Sequence, residues 1–272
     1  MIPQKTPDEI QIMQEAGKKL GGILHELLDM AKPGVVLTDI EDRAQELIRQ
    51  AGGTPSFMGV EDYRWATCLC VDDQVVHAIP TKRVLKEGEV FTVDIGMLYQ
   101  GLHTDCAWTK IVGDRPPAGE AGRSEIARPP ARQGGRKVVE LEKFLKTGEE
   151  ALEKAIEAAR PGNHVGHISK AIQEVIEHAG YSVVQMLTGH GVGRKLHEEP
   201  QIPCFLRGSV ERTPILPAGA TLAIEVIYAM EKASIEYENE DGWTLSTRDR
   251  SIAAVFEHTI ALTEGETIVL TT

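Results

Sequence analysis

Two stretches of this chain are offset copies of one another, and that repeat limits the folds open to it. Arg160-Pro161-Gly162 lies 128 residues after Lys32-Pro33-Gly34. The same offset pairs Ile40 with Ile168, Gln45-Glu46 with Gln173-Glu174, Ile48 with Ile176 and Ala51-Gly52 with Ala179-Gly180, without a gap. A gapless series of this kind favours a duplicated helical unit over coincidence. Each copy follows an amphipathic helix. The first runs from about Pro7 to Ala31, with Ile10, Met13, Leu20, Ile23, Leu24 and Leu27 as its apolar stripe, and the second from Val138 to Arg160. Within the first copy, Thr38-Asp-Ile-Glu41 has the spacing of a capping box. Extended segments bearing acidic residues follow both copies. We therefore expect two similar halves, about residues 1–113 and 138–272 of a single domain, with a site where their sheets meet.

In the first half, Ala66 to Val71 and Val75 to Pro80 read as extended segments around the acidic turn Asp72-Asp73, with His77 just before Pro80. The stretch Glu89 to Val112 then reads as a β-hairpin. Phe91, Val93 and Ile95 alternate with Thr92, Asp94 and Gly96, and a second alternating run extends from Thr104 to Ile111. With Tyr99-Gln100 as the turn, opposed positions sum to 199 and Asp94 faces Asp105 directly. With Gln100-Gly101 they sum to 201 and the two are diagonal neighbours. Both registers put the two carboxylates on one face, where like charges repel unless a cation lies between them.

The second half supplies Thr188-Gly-His-Gly-Val-Gly193, then Leu196-His-Glu-Glu-Pro200, a strand around Thr221 to Tyr228 carrying Glu225, an acidic loop through Trp243, and a strand from Ala253 to Leu262 carrying Glu257. Acids in runs this apolar are seldom buried unless paired or metal-bound. Asp94, Asp105, His190, Glu225 and Glu257 are thus the candidate ligands. Four carboxylates and one neutral imidazole balance two divalent cations. Oxygen ligands with one nitrogen suit Mn, Fe, Co or Zn without selecting among them.

These residues resemble the type I methionine aminopeptidases. The resemblance is carried by Asp94-x-Gly96 with Asp105, Gly189-His-Gly-Val-Gly193, Leu196-His-Glu-Glu-Pro200, Ile224-Glu225, Asp241-Gly-Trp243 and Glu257-His-Thr259. It implies an α+β class and the pita-bread fold, a pseudo-twofold pair of helix-and-antiparallel-sheet halves around a dinuclear metal site. By the same resemblance Asp94 would chelate one metal, His190 and Glu225 would bind the other, and Asp105 and Glu257 would bridge them. His77 and His197 would hold the substrate's amide and carbonyl, with Glu225 shuttling a proton. Phe57, Tyr63, Cys68, Leu196 and Trp243 would form the methionine pocket. The implied activity is hydrolytic removal of N-terminal methionine from peptides and nascent chains, with a small second residue preferred. Leu196, Phe57, Ala78, Val226 and Val255 depart from the family pattern; the five ligands do not.

Composition excludes other classes. A formal net charge of −12 argues against general affinity for nucleic acid or anionic membranes, and no apolar run approaches a membrane span. Four cysteines without redox spacing read as free thiols, as in a reducing cytoplasm. A monomer is expected. The Pro-, Gly- and Arg-rich segment 114–137 reads as a solvated linker; as the one local basic patch, its alternative role is docking on an anionic surface such as ribosomal RNA. His164-x-x-His167 has ligand-like spacing but reads as an ordinary loop. The competing readings of the whole chain are an X-Pro aminopeptidase or prolidase, and a non-catalytic binding protein of the same fold.

Overall fold

The computed structural model describes residues 1–113 and 134–272, with the side chains of 134–137 excepted. Helix α1 spans Pro7–Met30 and begins in a true capping box: Thr6 Oγ1 accepts from the Glu9 amide, and the Glu9 carboxylate accepts from the Thr6 amide. Helix α2 spans Leu37–Gln50. Strands β1 (Thr54–Pro55), β2 (Thr67–Val71), β3 (Gln74–Val76), β4 (Val90–Tyr99) and β5 (Leu102–Ile111) complete the first half. The second half holds α3 (Gly134–Ala158) and α4 (Val165–His178), followed by β6 (Ser182–Val183), β7 (Thr188–Gly191), β8 (Glu198–Pro203) and β9 (Thr221–Ala229). It ends with β10 (Ile235–Tyr237), β11 (Leu245–Thr247), β12 (Ala253–Leu262) and β13 (Thr267–Val269).

The repeat survives into structure. Helices α2 and α4 are both 14 residues long and begin and end at positions 128 apart. Gly34 and Gly162, preceding them, adopt φ of 95° and 87°, the left-handed region where a side chain would be strained. The expected capping box at Thr38 does not form. Val36 is the N-cap, and Glu41 is buried, its carboxylate accepting from the Ala66 and Thr67 amides at 2.7 and 3.0 Å and from Thr67 Oγ1. Glu41 thereby ties α2 to the start of β2.

Three further expectations are corrected. The second extended segment stops at Val76 because His77 turns into the left-handed region, with φ of 59°. Helix α3 starts at Gly134, inside the segment read as linker, while 114–133 lies outside the described residues. His164 caps α4 and His167 lies in its first turn, where the expectation was a loop: His167 Nδ1 accepts from the His164 amide at 3.0 Å.

The main sheet runs β1-β4-β5-β12-β9-β7-β8, antiparallel, so the central strands of both halves join edge to edge at β5 and β12. Alternation sets its two faces. Val93 and Ile95 turn toward α1 and α2, packing with Leu20, Leu24, Ile40, Ala44 and Ile48. Ile224, Val226 and Phe256 turn toward α3 and α4, packing with Phe144, Leu152, Ile168 and Ile172. Helices thus cover one face, and the acids alternating with these apolar residues are left for the other. A small sheet, β10-β11-β3, bridges the halves.

Candidate metal centre and pocket

Five neighbouring strands, β4, β5, β12, β9 and β7, each bring one candidate ligand to the helix-free face. The hairpin turns at Gln100-Gly101, both with positive φ as a type I′ turn requires, and opposed positions sum to 201. Asp94 therefore faces Ala107, Ala107 faces Glu257, and Glu257 faces Glu225, a row across four strands. Asp105 lies two residues from Ala107, and His190 faces Ala223, two residues from Glu225. Opposed residues share a face, as do residues two apart, so all five converge. Asp94 and Asp105 are the diagonal neighbours of the two alternatives left open by the sequence.

Ligand atoms of Asp105, His190 and Glu257 all lie within 4.8 Å of one another. His190 Nε2 is 3.5 Å from Glu225 Oε1. Asp94 and Glu225 line the same cavity as these three, together with His77 and His197. Asp105 and Glu257 are buried, and Asp105 Oδ1 and Glu257 Oε1 have no hydrogen-bond partner among the described residues. Burial raises the Asp94 carboxyl to about 7, against a hydrogen bond from Cys68 that lowers it. Burial, reinforced by the neighbouring carboxylates, pushes Asp105, Glu225 and Glu257 well above the ordinary range. His190 is the opposite case, lowered to about 4 mainly by burial. Its Nδ1 lies 2.8 Å from the Gly191 carbonyl; the neutral ring donates there and leaves the Nε2 lone pair facing the acids. Dry carboxylates that cannot all ionise, orphaned oxygens and an imidazole with a free lone pair fit a divalent-cation centre.

Two residues outside the expected ligand set shape this centre. Thr259, two residues from Glu257 and on its face, hydrogen-bonds with the Asp105 backbone in both directions, accepting from the amide at 2.9 Å and donating to the carbonyl at 2.7 Å. The i, i+2 spacing was the available signal. Gly96 faces Asp105 across the hairpin. A Cβ there would lie 2.9 Å from Phe57 Cε1 and from Ser56 Cβ, and 3.2 Å from Asp105 Oδ1.

Beside the acids, Phe57, Tyr63, Cys68 and Leu196 form one buried apolar cluster, joined by Trp243, Val60 and Ile79. Cys68 faces Asp94 on the adjoining strand, so the pocket and the centre share a wall. Tyr63 donates to the Thr67 carbonyl at 2.8 Å and packs edge-on against Trp243 at 5.0 Å. Asp241 builds the turn that delivers Trp243, accepting from the Trp243 and Thr244 amides at 2.8 and 2.9 Å. His77 and His197 are solvent-exposed at the mouth, and the His190 and His197 rings meet at 4.6 Å. The other histidines stay out of the site: His103 bonds Ser56 Oγ, His258 bonds Thr271 Oγ1, and His25 and His178 are exposed on helices. All four cysteines are free and buried. Among the described residues no helix is long and apolar enough to cross a membrane.

Residues 11–264 match the family model of metallopeptidase family M24. Methionine aminopeptidase 1 of Bacillus subtilis is 38% identical over 273 residues, covering 100% of this chain and 99% of the relative. The methionine aminopeptidase of Clostridium perfringens is 36% identical over 271 residues, with the same coverage. The crystal structure of methionine aminopeptidase from Thermotoga maritima superposes with a TM-score of 0.87 at 38% identity, covering 100% of both chains. Prolidase from Pyrococcus furiosus shares the fold alone: its TM-score is 0.72 at 20% identity, and 65% of that chain is covered. Full-length identity of this order, on a common fold, makes the chain a member of metallopeptidase family M24 and, within it, of the methionine aminopeptidases.

Proposed function

We propose that the chain hydrolyses the first peptide bond of peptides and nascent proteins that begin with methionine, using two divalent metal ions held by Asp94, Asp105, His190, Glu225 and Glu257. The observation that carries the reading is the shared wall: Cys68 of the apolar cluster faces Asp94 of the acidic row. A side chain seated in the cluster leaves its own backbone at the acids. Tyr63, Phe57 and Trp243 bring aromatic rings to the cluster, and a thioether packs favourably against such rings.

Divalent ions held by these five residues would supply Lewis acidity toward the scissile carbonyl and toward water. The protein's own groups do the rest. Glu225, whose proton affinity burial has raised, carries a proton toward the leaving amide. His197 donates to the carbonyl oxygen as charge develops, and His77 holds the next amide. Both histidines also border the groove that continues past Met186, Glu199 and Gln201. The second residue passes between them, which favours a small side chain.

The test is metal analysis of the purified protein combined with release rates from peptides beginning Met-Ala, Met-Leu, Leu-Ala and Ala-Pro. Met-Ala is expected to be fastest and to require metal. Equal rates on Met-Leu would remove the second-residue preference, and faster release from Ala-Pro would favour the X-Pro peptidase reading.

A further inference from the structure

His197 has no hydrogen bond from its ring among the described residues, yet the proposed mechanism needs that ring fixed to within a fraction of an ångström. Its ring meets that of His190 edge-on at 4.6 Å, and the turn that carries it is held through its chain neighbours. Leu196 is buried in the apolar pocket on one side. On the other, Glu198 is bound at both oxygens: Oε1 accepts from the Lys195 amide at 3.0 Å and Oε2 from Lys5 Nζ at 2.5 Å. The Glu198 carboxylate therefore staples the turn 195–198 from inside, with His197 at its bend. The ion pair is dry, its side chains being 0% and 5% exposed.

Lys5 is itself anchored. Its amide donates to the Gly219 carbonyl at 2.7 Å, and Gly219 donates to Leu262. Gly193, at φ 154°, is pressed against the lysine stem: a Cβ there would stand 2.0 Å from Lys5 Cε. Arg194 adds a second tie, bonding Glu9 and the Gln4 carbonyl, but that contact is largely exposed and correspondingly weak.

We propose that Lys5 is a positioning residue for the reaction: through its buried ion pair with Glu198 it holds the turn that aims His197 at the substrate carbonyl. The inference rests on the role given to His197 above. Removing Lys5 leaves a carboxylate without its cation in a dry place, and whether the carboxylate shifts toward water or takes up a proton, the tie from the turn to the Lys5 segment is lost.

The variants Lys5→Met, His197→Ala and their double are compared with the native protein as metal-loaded enzymes on a Met-Ala peptide. Lys5→Met is expected to lower kcat by about 10²-fold, the scale of an ångström-sized misplacement, with KM and metal content little changed. In the His197→Ala background the same substitution should cost nothing further. Adding Glu198→Gln to Lys5→Met should recover part of the loss, since the amide oxygen still accepts from Lys195 and no charge is buried. Should Lys5→Met not fold, Glu198→Gln alone carries the comparison, and its loss too should vanish beside His197→Ala.

Hydrogen exchange over residues 193–199 of the metal-free protein reads the brace without activity and should quicken in Lys5→Met. Native kcat in Lys5→Met, or an equal loss with and without His197, would overturn the proposal. A native protein that releases no methionine would instead sink the functional reading, while the exchange result still reports on the brace.

Discussion

Glu257 on β12 stands directly across from Glu225 on β9, two carboxylates on one face of the sheet, with Glu257 buried at the floor of the cavity. Opposed side chains have Cβ atoms about 4.5–5.5 Å apart, so in the absence of a cation one acid must take up a proton or repel the other. Neither helps the fold. Glu257→Gln keeps the shape and cannot ionise, so the metal-free variant is expected to be more stable than the native protein at pH values high enough to ionise native Glu257, and the difference should shrink as pH falls. Its metal content should fall at the same time. Urea unfolding in chelator and metal analysis of the same sample check both, and a destabilised metal-free variant would mean that the carboxylate is held by contacts of its own.

The same acids set a pH dependence. Asp94 moves from 3.8 to about 7 on folding, and Asp105, Glu225 and Glu257 move in the same direction. A raised carboxyl means that the folded state binds more protons than the unfolded one, so stability falls as pH rises toward and through the folded pKa. Below 6.5 the buried histidines oppose this. His190 and His258 are lowered to about 4, and their contribution is lost on acidification through the range from 6.5 downward. Above that range the carboxylates act first, and further up the thiols of Cys68, Cys70, Cys106 and Cys204, raised mainly by burial, add to the same fall. Metal-free protein should therefore lose melting temperature as pH climbs above about 7, and saturating Mn or Co should reverse the trend, because cations bind the ionised form. Thermal melts with chelator and with metal across this range measure the sign directly. Restoring the ion should also restore turnover.

What the sequence disclosed was whatever depends on short-range pattern. Alternation gave the acidic face of β4, β9 and β12, and the gapless offset gave α2 and α4. The choice between the two hairpin registers needed backbone geometry, since Tyr99, Gln100 and Gly101 permit either turn and only the left-handed φ at Gln100 and Gly101 decides it. The Thr38 capping box failed because Glu41 meets a stronger demand from the Ala66 and Thr67 amides, 25 and 26 residues away. The pairing of Lys5 with Glu198 joins positions 193 residues apart, and no local pattern marks it. His77 leaves the extended region where alternation alone would have continued the strand.

Gly96 is a test of how tightly the centre is packed. Gly96→Ala would set a methyl 2.9 Å from both Phe57 and Ser56 and 3.2 Å from Asp105 Oδ1, with no void to absorb it. The cost should be about 1–3 kcal/mol, as for overpacking generally, and the displaced Asp105 should weaken metal binding. Denaturant midpoints and metal stoichiometry measured together distinguish this from simple destabilisation, which would leave the stoichiometry of the folded protein intact.

The final prediction concerns which wall of the pocket selects methionine. Phe57 and Leu196 are both buried in the cluster, but Leu196 adjoins His197, so substituting it would confound fit with catalysis. Phe57 comes from the first half, packs edge-on against Tyr63 at 6.4 Å and supplies no ligand. Phe57→Ala should leave metal content unchanged and open the pocket. An apolar wall discriminates by fit, at about 1–3 kcal/mol for each methylene gained or lost. We expect kcat/KM for a Met-Ala peptide to fall by about 10- to 10²-fold, in line with that range, while peptides beginning with the bulkier Phe lose less or improve. The comparison of kcat/KM for Met-, Leu- and Phe-initiated peptides is a ratio within one sample, so partial unfolding cancels. An unchanged ratio would mean that the first side chain does not rest on Phe57, and the pocket would have to be sought elsewhere along the groove.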